Sequence, residues 1–149
     1  MAGSALRLDV RYDDRQVMRA LRRLQDAAGD LSPALRDIGE RLLISHDERF
    51  RAQVDPEGNP WQALTDKYKA RKKRNPNKIL IRAVKLKNSL DYQLEGESLR
   101  FGTPLVYGAT HQFGDPERGI PARPFLGISD GDRSVILDIL QDHLATALK

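Results

Sequence analysis

Apolar positions along this chain follow two rhythms, and the switches between them outline a fold. From Arg7 to Tyr12 they alternate with polar ones, through Leu8, Val10 and Tyr12, which predicts a short strand. The period then changes. Val17, Leu21, Leu24 and Ala28 recur at helical spacing, after an acid at Asp13 or Asp14 that can cap the helix and before Gly29, which closes it. A second helix opens with Ser32 as its N-cap and Pro33 in the first helical position, where a missing N–H does no harm. Leu35, Ile38, Leu42 and Phe50 form its buried stripe, and charged residues cover the rest. Gly39 weakens this helix by about 1 kcal/mol relative to alanine, unless something packs closely there.

Asp55-Pro56-Glu57-Gly58-Asn59-Pro60 predicts a tight turn, and Trp61, the one tryptophan, follows it as an anchor onto the core. A short, highly basic helix is expected from Thr65 to Arg74, ended by Asn75-Pro76-Asn77. Ile79 to Ile81, Val84, Leu86 and Leu90 suggest a further helical piece. Tyr92 and Leu94, then Leu99 and Phe101, alternate with polar residues around Gly96-Glu97, the pattern of a hairpin of two half-buried strands. A short helix within Leu105 to Phe113 ends at Gly114, and a loop runs from Asp115 to Gly119. Ile120 to Gly127 must be extended, because each residue before a proline is pushed out of the helical region. Its prolines confine it to a sheet edge or a subunit contact. Ser129 or Asp130 starts the last helix, whose apolar face is Ile136, Ile139, Leu140, His143, Leu144 and Ala147. The sum is one α+β domain over residues 1–149: a small antiparallel sheet with a hairpin, packed by N-terminal helices and a C-terminal helix.

Composition narrows the function more than the fold. With no cysteine among 149 residues, disulfides, thiolate nucleophiles and cysteine zinc sites drop out together. No apolar run approaches the roughly 18 residues of a membrane span, and the first residues lack the apolar stretch of a signal peptide. A soluble intracellular protein, made in a reducing cytoplasm, is expected. The net charge is only +4, but it is unevenly spread. Within a basic segment at about 65–88, Lys67, Lys69, Arg71, Lys72, Lys73, Arg74, Lys78, Arg82, Lys85 and Lys87 follow one another with no acid between them. Such a run fits phosphate neutralisation along DNA, docking on an acidic neighbour, or a solvated helix face. Tyr68 is its one aromatic residue, so a stacking platform for single strands is not expected.

The chemistry of catalysis is missing from the pattern. His46, His111 and His143 have no companion at metal-ligand spacing, and His46 and His143 read as boundary residues of their helices. His111 would need a nucleophile in reach, and Ser89, Ser98 and Thr110 are candidates only by being present. Asp55 and Glu57 lack the alternating oxygens of a calcium loop and read as solvated turn acids, and Gly102, Gly108 and Gly114 are too far apart to cradle a phosphate. No metal, cofactor or reaction is expected.

Several pieces taken together resemble the phage virion morphogenesis family, which includes tail-completion proteins of Mu-like phages. They are Phe50, Asp55-Pro56-Glu57-Gly58 and Trp61-Gln62-Ala63-Leu64; Ile79-Leu80 and Leu86-Lys87-Asn88-Ser89-Leu90-Asp91-Tyr92; Phe101-Gly102-Thr103, Tyr107-Gly108-Ala109 and His111-Gln112-Phe113-Gly114; and Ile120-Pro121-Ala122-Arg123-Pro124-Phe125-Leu126-Gly127-Ile128. The order and spacing from Phe50 to Ile128 carry the match. Val84 or Lys85 stands where the family often has a glycine. The resemblance implies a ring-forming structural subunit at the neck of the virion that completes the tail or joins it to the head. Its partners would be copies of itself, neighbouring connector or tail-terminator proteins, and the DNA in passage. Trp61, Arg123, Pro124 and Phe125 are then candidate interface residues, with Arg123 and Phe125 exposed on the proline-rich edge. Plain core packing is the alternative for Trp61 and Phe125. Lys67, Lys69, Arg71, Lys72, Lys73, Arg74 and Lys78 would face a partner or DNA. The other reading is a DNA-binding accessory protein acting through residues 67–87.

Overall fold

A computed structural model describes residues 8–9, 12–63, 84–105 and 107–149. The expected helix over Thr65–Arg74, the piece at Ile79–Ile81 and most of the basic segment lie outside these residues. In chain order the described elements are β1 (Leu8–Asp9), α1 (Arg15–Ala28), α2 (Ser32–Ala52), α3 (Val84–Ser89), β2 (Asp91–Glu95), β3 (Ser98–Thr103), α4 (Tyr107–Phe113) and α5 (Asp130–Ala147). The architecture is α+β, as the pattern predicts.

α2 is the central element, with α5 on one side and strands β2 and β3 on the other, while α1 packs along α5. The three strands are ordered β1-β3-β2 and are antiparallel throughout. Tyr92 pairs with Phe101 and Leu94 with Leu99, so the half-buried residues of the hairpin share the face turned to the helices. Gly96, at φ 60°, takes the first central position of the two-residue turn, where a positive φ favours glycine. β1 is described at Leu8 and Asp9, Val10 and Arg11 lie outside the described residues, and Tyr12, out of the sheet, donates its hydroxyl to Asp14.

Helix ends follow local chemistry. Asp14 caps α1 by accepting from the Val17 N–H, and Gly29 closes it at φ 80°. Ser129 caps α5 in a reciprocal box with Asp132. α2 corrects one expectation. Its cap is Leu31, which has no side-chain bond to give, and Ser32 is already helical with its N–H bound by Asp30 at 2.9 Å. The core holds Leu24, Leu35, Ile38, Leu42, Leu86, Ile136 and Leu140 with Phe50, Phe101 and Phe125. Gly39 has the close neighbour its presence calls for: the Tyr92 ring lies where a Cβ would stand, 2.6 Å from its Cγ. No helix among the described residues is long and apolar enough to cross a membrane.

Candidate functional site

The extended segment 120–128 is not a strand of the sheet, so its expected place at a sheet edge is corrected. It is a strap, buried at Arg123, Phe125 and Leu126, laid across α2 and held by side chains instead of by a neighbouring strand. Prolines 121 and 124 explain why, since each lacks the N–H that a ladder needs. A buried backbone must still pair its polar groups. Here that work falls to residues far apart in the sequence.

The Trp61 indole N–H donates to the Pro124 carbonyl at 2.6 Å. The Gln112 carboxamide oxygen accepts from the N–H groups of Phe125 and Leu126, both at 3.0 Å, and its NH2 donates to the Leu126 carbonyl at 2.9 Å. The Arg49 guanidinium donates to the carbonyls of Phe125 (2.7 Å) and Gly127 (3.1 Å) and reaches Asp132 at 3.1 Å. The His46 Nε2 accepts from the Gly127 N–H at 3.3 Å. Every backbone donor and acceptor from the Pro124 carbonyl to the Gly127 carbonyl therefore meets a side chain. One residue upstream, the Arg123 N–H donates to the His111 carbonyl at 2.7 Å.

Apolar contacts finish the clasp. Phe50 lies edge-on to Trp61 with centroids 5.6 Å apart and tilted to Phe125 at 5.5 Å. The 55–60 turn leans on the strap, with the Pro56 ring in the space a Cβ on Gly127 would take. Asp55, expected as a solvated acid, organises that turn by accepting from the N–H groups of Glu57 and Asn59 at 2.9 Å.

The exposure expected of Arg123 and Phe125 is corrected. Phe125 is fully buried, Arg123 is 8% exposed, and Trp61 is 6% exposed. Pro124 is half-buried. The Arg123 Nε donates to the Gln62 carbonyl at 2.9 Å. The structure thus brings Trp61, Arg123, Pro124 and Phe125 together inside the chain. Lys67, Lys69, Arg71, Lys72, Lys73, Arg74 and Lys78 lie outside the described residues. Lys87, at the end of the basic run, is held 3.0 Å from Asp47.

His46 is no boundary residue. It is wholly buried against Phe101, and its Nδ1 donates to the Leu42 carbonyl at 2.8 Å. A carbonyl only accepts, so Nδ1 carries the hydrogen and Nε2 is left as the acceptor for Gly127. Burial, helped by the Arg49 charge, holds His46 down at about 4. Burial also pulls Arg49 below its ordinary value, and Asp132 opposes that shift. His143 bridges α5 to α2, 2.6 Å from Asp37. The Nδ1 of half-buried His111 has no hydrogen-bond partner, and the ring is held low by burial and by Arg123. The Ser89 hydroxyl is taken up by Leu86 and Thr103. Among the described residues no His, Asp or Glu cluster has the makings of a metal site.

Reading the sequence missed Arg49, His46, Gln112 and Asp132 as the holders of the strap. Arg49 gave a signal, since it sits on the buried stripe seven residues after Leu42, where a cation needs a reason. Gln112 stood inside a quoted motif with no role attached.

The clasp joins motifs from Phe50 to Ile128, and a model of the phage virion morphogenesis family matches residues 12–145, covering all of them. The chain belongs to this family. The G protein of Escherichia phage Mu, whose name assigns it to capsid assembly, is 29% identical, with 91% of this chain and 97% of that protein covered. The Mu-like prophage FluMu G protein 2 of Haemophilus influenzae is 28% identical, covering 90% of this chain and 93% of its own. No solved structure matches. Membership in the virion morphogenesis family makes this a structural protein of phage assembly.

Proposed function

We propose that the protein is a ring-forming subunit at the neck of the virion, where it completes the tail or joins it to the head and carries out no reaction. The clasped strap is the observation that carries this reading. Its conformation is fixed from inside by Trp61, Gln112, Arg49 and His46, so the surface around it is rigid before any partner arrives. Association then loses little ordering entropy. Helix α4, which supplies Gln112, also turns Tyr107 and Phe113 outward at 39% and 68% exposure. Large apolar side chains in the open beside a rigid segment are what a subunit contact uses. In this reading Trp61, Arg123, Pro124 and Phe125 shape the contact from beneath. Copies of the chain, and connector or tail-terminator proteins beside them, are the partners. The Mu relative's name concerns the capsid, and the neck is where capsid and tail meet.

Electron microscopy of particles assembled without this protein tests the reading. Separate heads and tails, or tails of abnormal length, are expected. Normal joined virions would end it.

A further inference from the structure

We propose that the outer face of α1 docks on the acidic outer face of α5 in a second copy of this chain. The inference rests on the ring reading above, because a closed ring needs one patch of each subunit to meet a different patch of the next.

Arg15, Arg19, Arg22 and Arg23 are all exposed, and with Met18, 48% exposed, they occupy an arc of roughly 140° around α1. Among the described residues none of the four arginines has an ion-pair partner. Their placement works against the helix itself. Arg15, Arg19 and Arg23 stand four residues apart and repel one another. Arg15 stands in the first turn, where the helix dipole favours anions, and that turn holds no acid. Asp26 gives Arg22 and Arg23 an acid four and three residues on, but Arg15 and Arg19 have none at that spacing, and a local rule broken without local gain points to a use elsewhere.

The complement lies on α5. Asp138 and Asp142 are exposed, also four apart, with no basic residue three or four positions from either. The two helices already lie side by side within one molecule, fastened at their starts by Arg133 to Asp14 at 2.7 Å. Yet no ion pair joins the four arginines to Asp138 or Asp142. Two opposite, unsatisfied faces that do not meet within one copy suit a contact between copies. Arginine and methionine are the types enriched in interface cores, where lysine is depleted. Duplex DNA fits less well, because Asp26 lies within the basic arc, Asp13 and Asp14 stand at its foot, and Met18 offers a phosphate nothing.

The chain contains no cysteine, so cross-linking gives a clean test. Arg22→Cys and Asp138→Cys proteins are purified separately, mixed and oxidised. Disulfide dimers should form in the mixture and far less in either protein alone. Sedimentation velocity at low salt should show association weakened by about tenfold or more in Arg19→Glu/Arg22→Glu. Adding Asp138→Arg/Asp142→Arg in the mixed partner should restore it. Melting temperatures should stay close to that of the unaltered chain, since every altered residue is exposed. Association that persists in Arg19→Glu/Arg22→Glu overturns this interface and leaves the ring reading standing. No association at any concentration and no mixed disulfide also overturns it, and the ring reading is then judged by the microscopy alone. If the variant loses only affinity for random duplex DNA, measured by fluorescence anisotropy, the face belongs to DNA and the proposal fails.

Discussion

Gln112 uses both ends of one carboxamide on the strap, and this makes it hard to replace. Alanine there would strand two buried N–H groups and a carbonyl, so Gln112→Ala should lose roughly 2–4 kcal/mol in denaturant unfolding. Glutamate keeps the acceptor but sets an oxygen against the Leu126 carbonyl, so it should not rescue the loss. His46 makes a pH prediction. It is buried and neutral, with its value lowered to about 4, while in the unfolded chain it titrates near 6.5. Between these values the unfolded state binds the extra proton, so stability is full above about pH 6.5 and falls as pH drops towards 4. The loss should be on the order of 3 kcal/mol, and His46→Gln should flatten it across that window. Asp14, lowered to about 2, acts below that range, its contribution being lost as pH falls from 3.8. At Gly39, alanine gains helix propensity of about 1 kcal/mol but drives its methyl into the Tyr92 ring. A backbone-anchored overlap with the root of a ring costs about 1–3 kcal/mol. Gly39→Ala should therefore be neutral at best and more often destabilising by thermal unfolding.

At the scale of the element, one ion pair ties the start of α5 to the strap. Asp132 completes the cap of its own helix and holds Arg49, whose other nitrogen holds two strap carbonyls. Removing the carboxylate leaves a buried cation unpaired, so Asp132→Ala should cost about 3–5 kcal/mol. Ser129→Ala removes only the cap and should cost about 1 kcal/mol. Chemical unfolding of the two variants separates the roles, and similar losses would mean that Arg49 does not depend on Asp132. The cap residues, the closing glycines and the hairpin turn were legible in the sequence because each depends on neighbours within a few positions. The Ser32 cap was misplaced by one position, because the side chain that accepts an N–H at this helix start is Asp30, which binds Ser32 from two residues back, and Leu31 at the cap offers none.

For the whole molecule, the open question of the basic segment has a simple measurement. If Lys67 to Lys87 docks on protein, affinity for duplex DNA should be no better than non-specific, roughly 10⁻⁴–10⁻⁶ M at physiological salt. Much tighter binding, falling steeply as salt rises, would favour the DNA reading instead. By itself the sequence determined the α+β class, the order of the described elements, the hairpin register and the family. Periodicity and turn chemistry are local, and motif spacing survives without coordinates. It also showed that Ile120 to Gly127 had to be extended. Where that segment lies was settled only by the tertiary structure. An extended chain studded with prolines looks like an exposed edge until its carbonyls and N–H groups find Trp61, Gln112, Arg49 and His46. Those partners stand up to 81 residues away, and no pattern read along the chain links a carboxamide to a backbone at that distance.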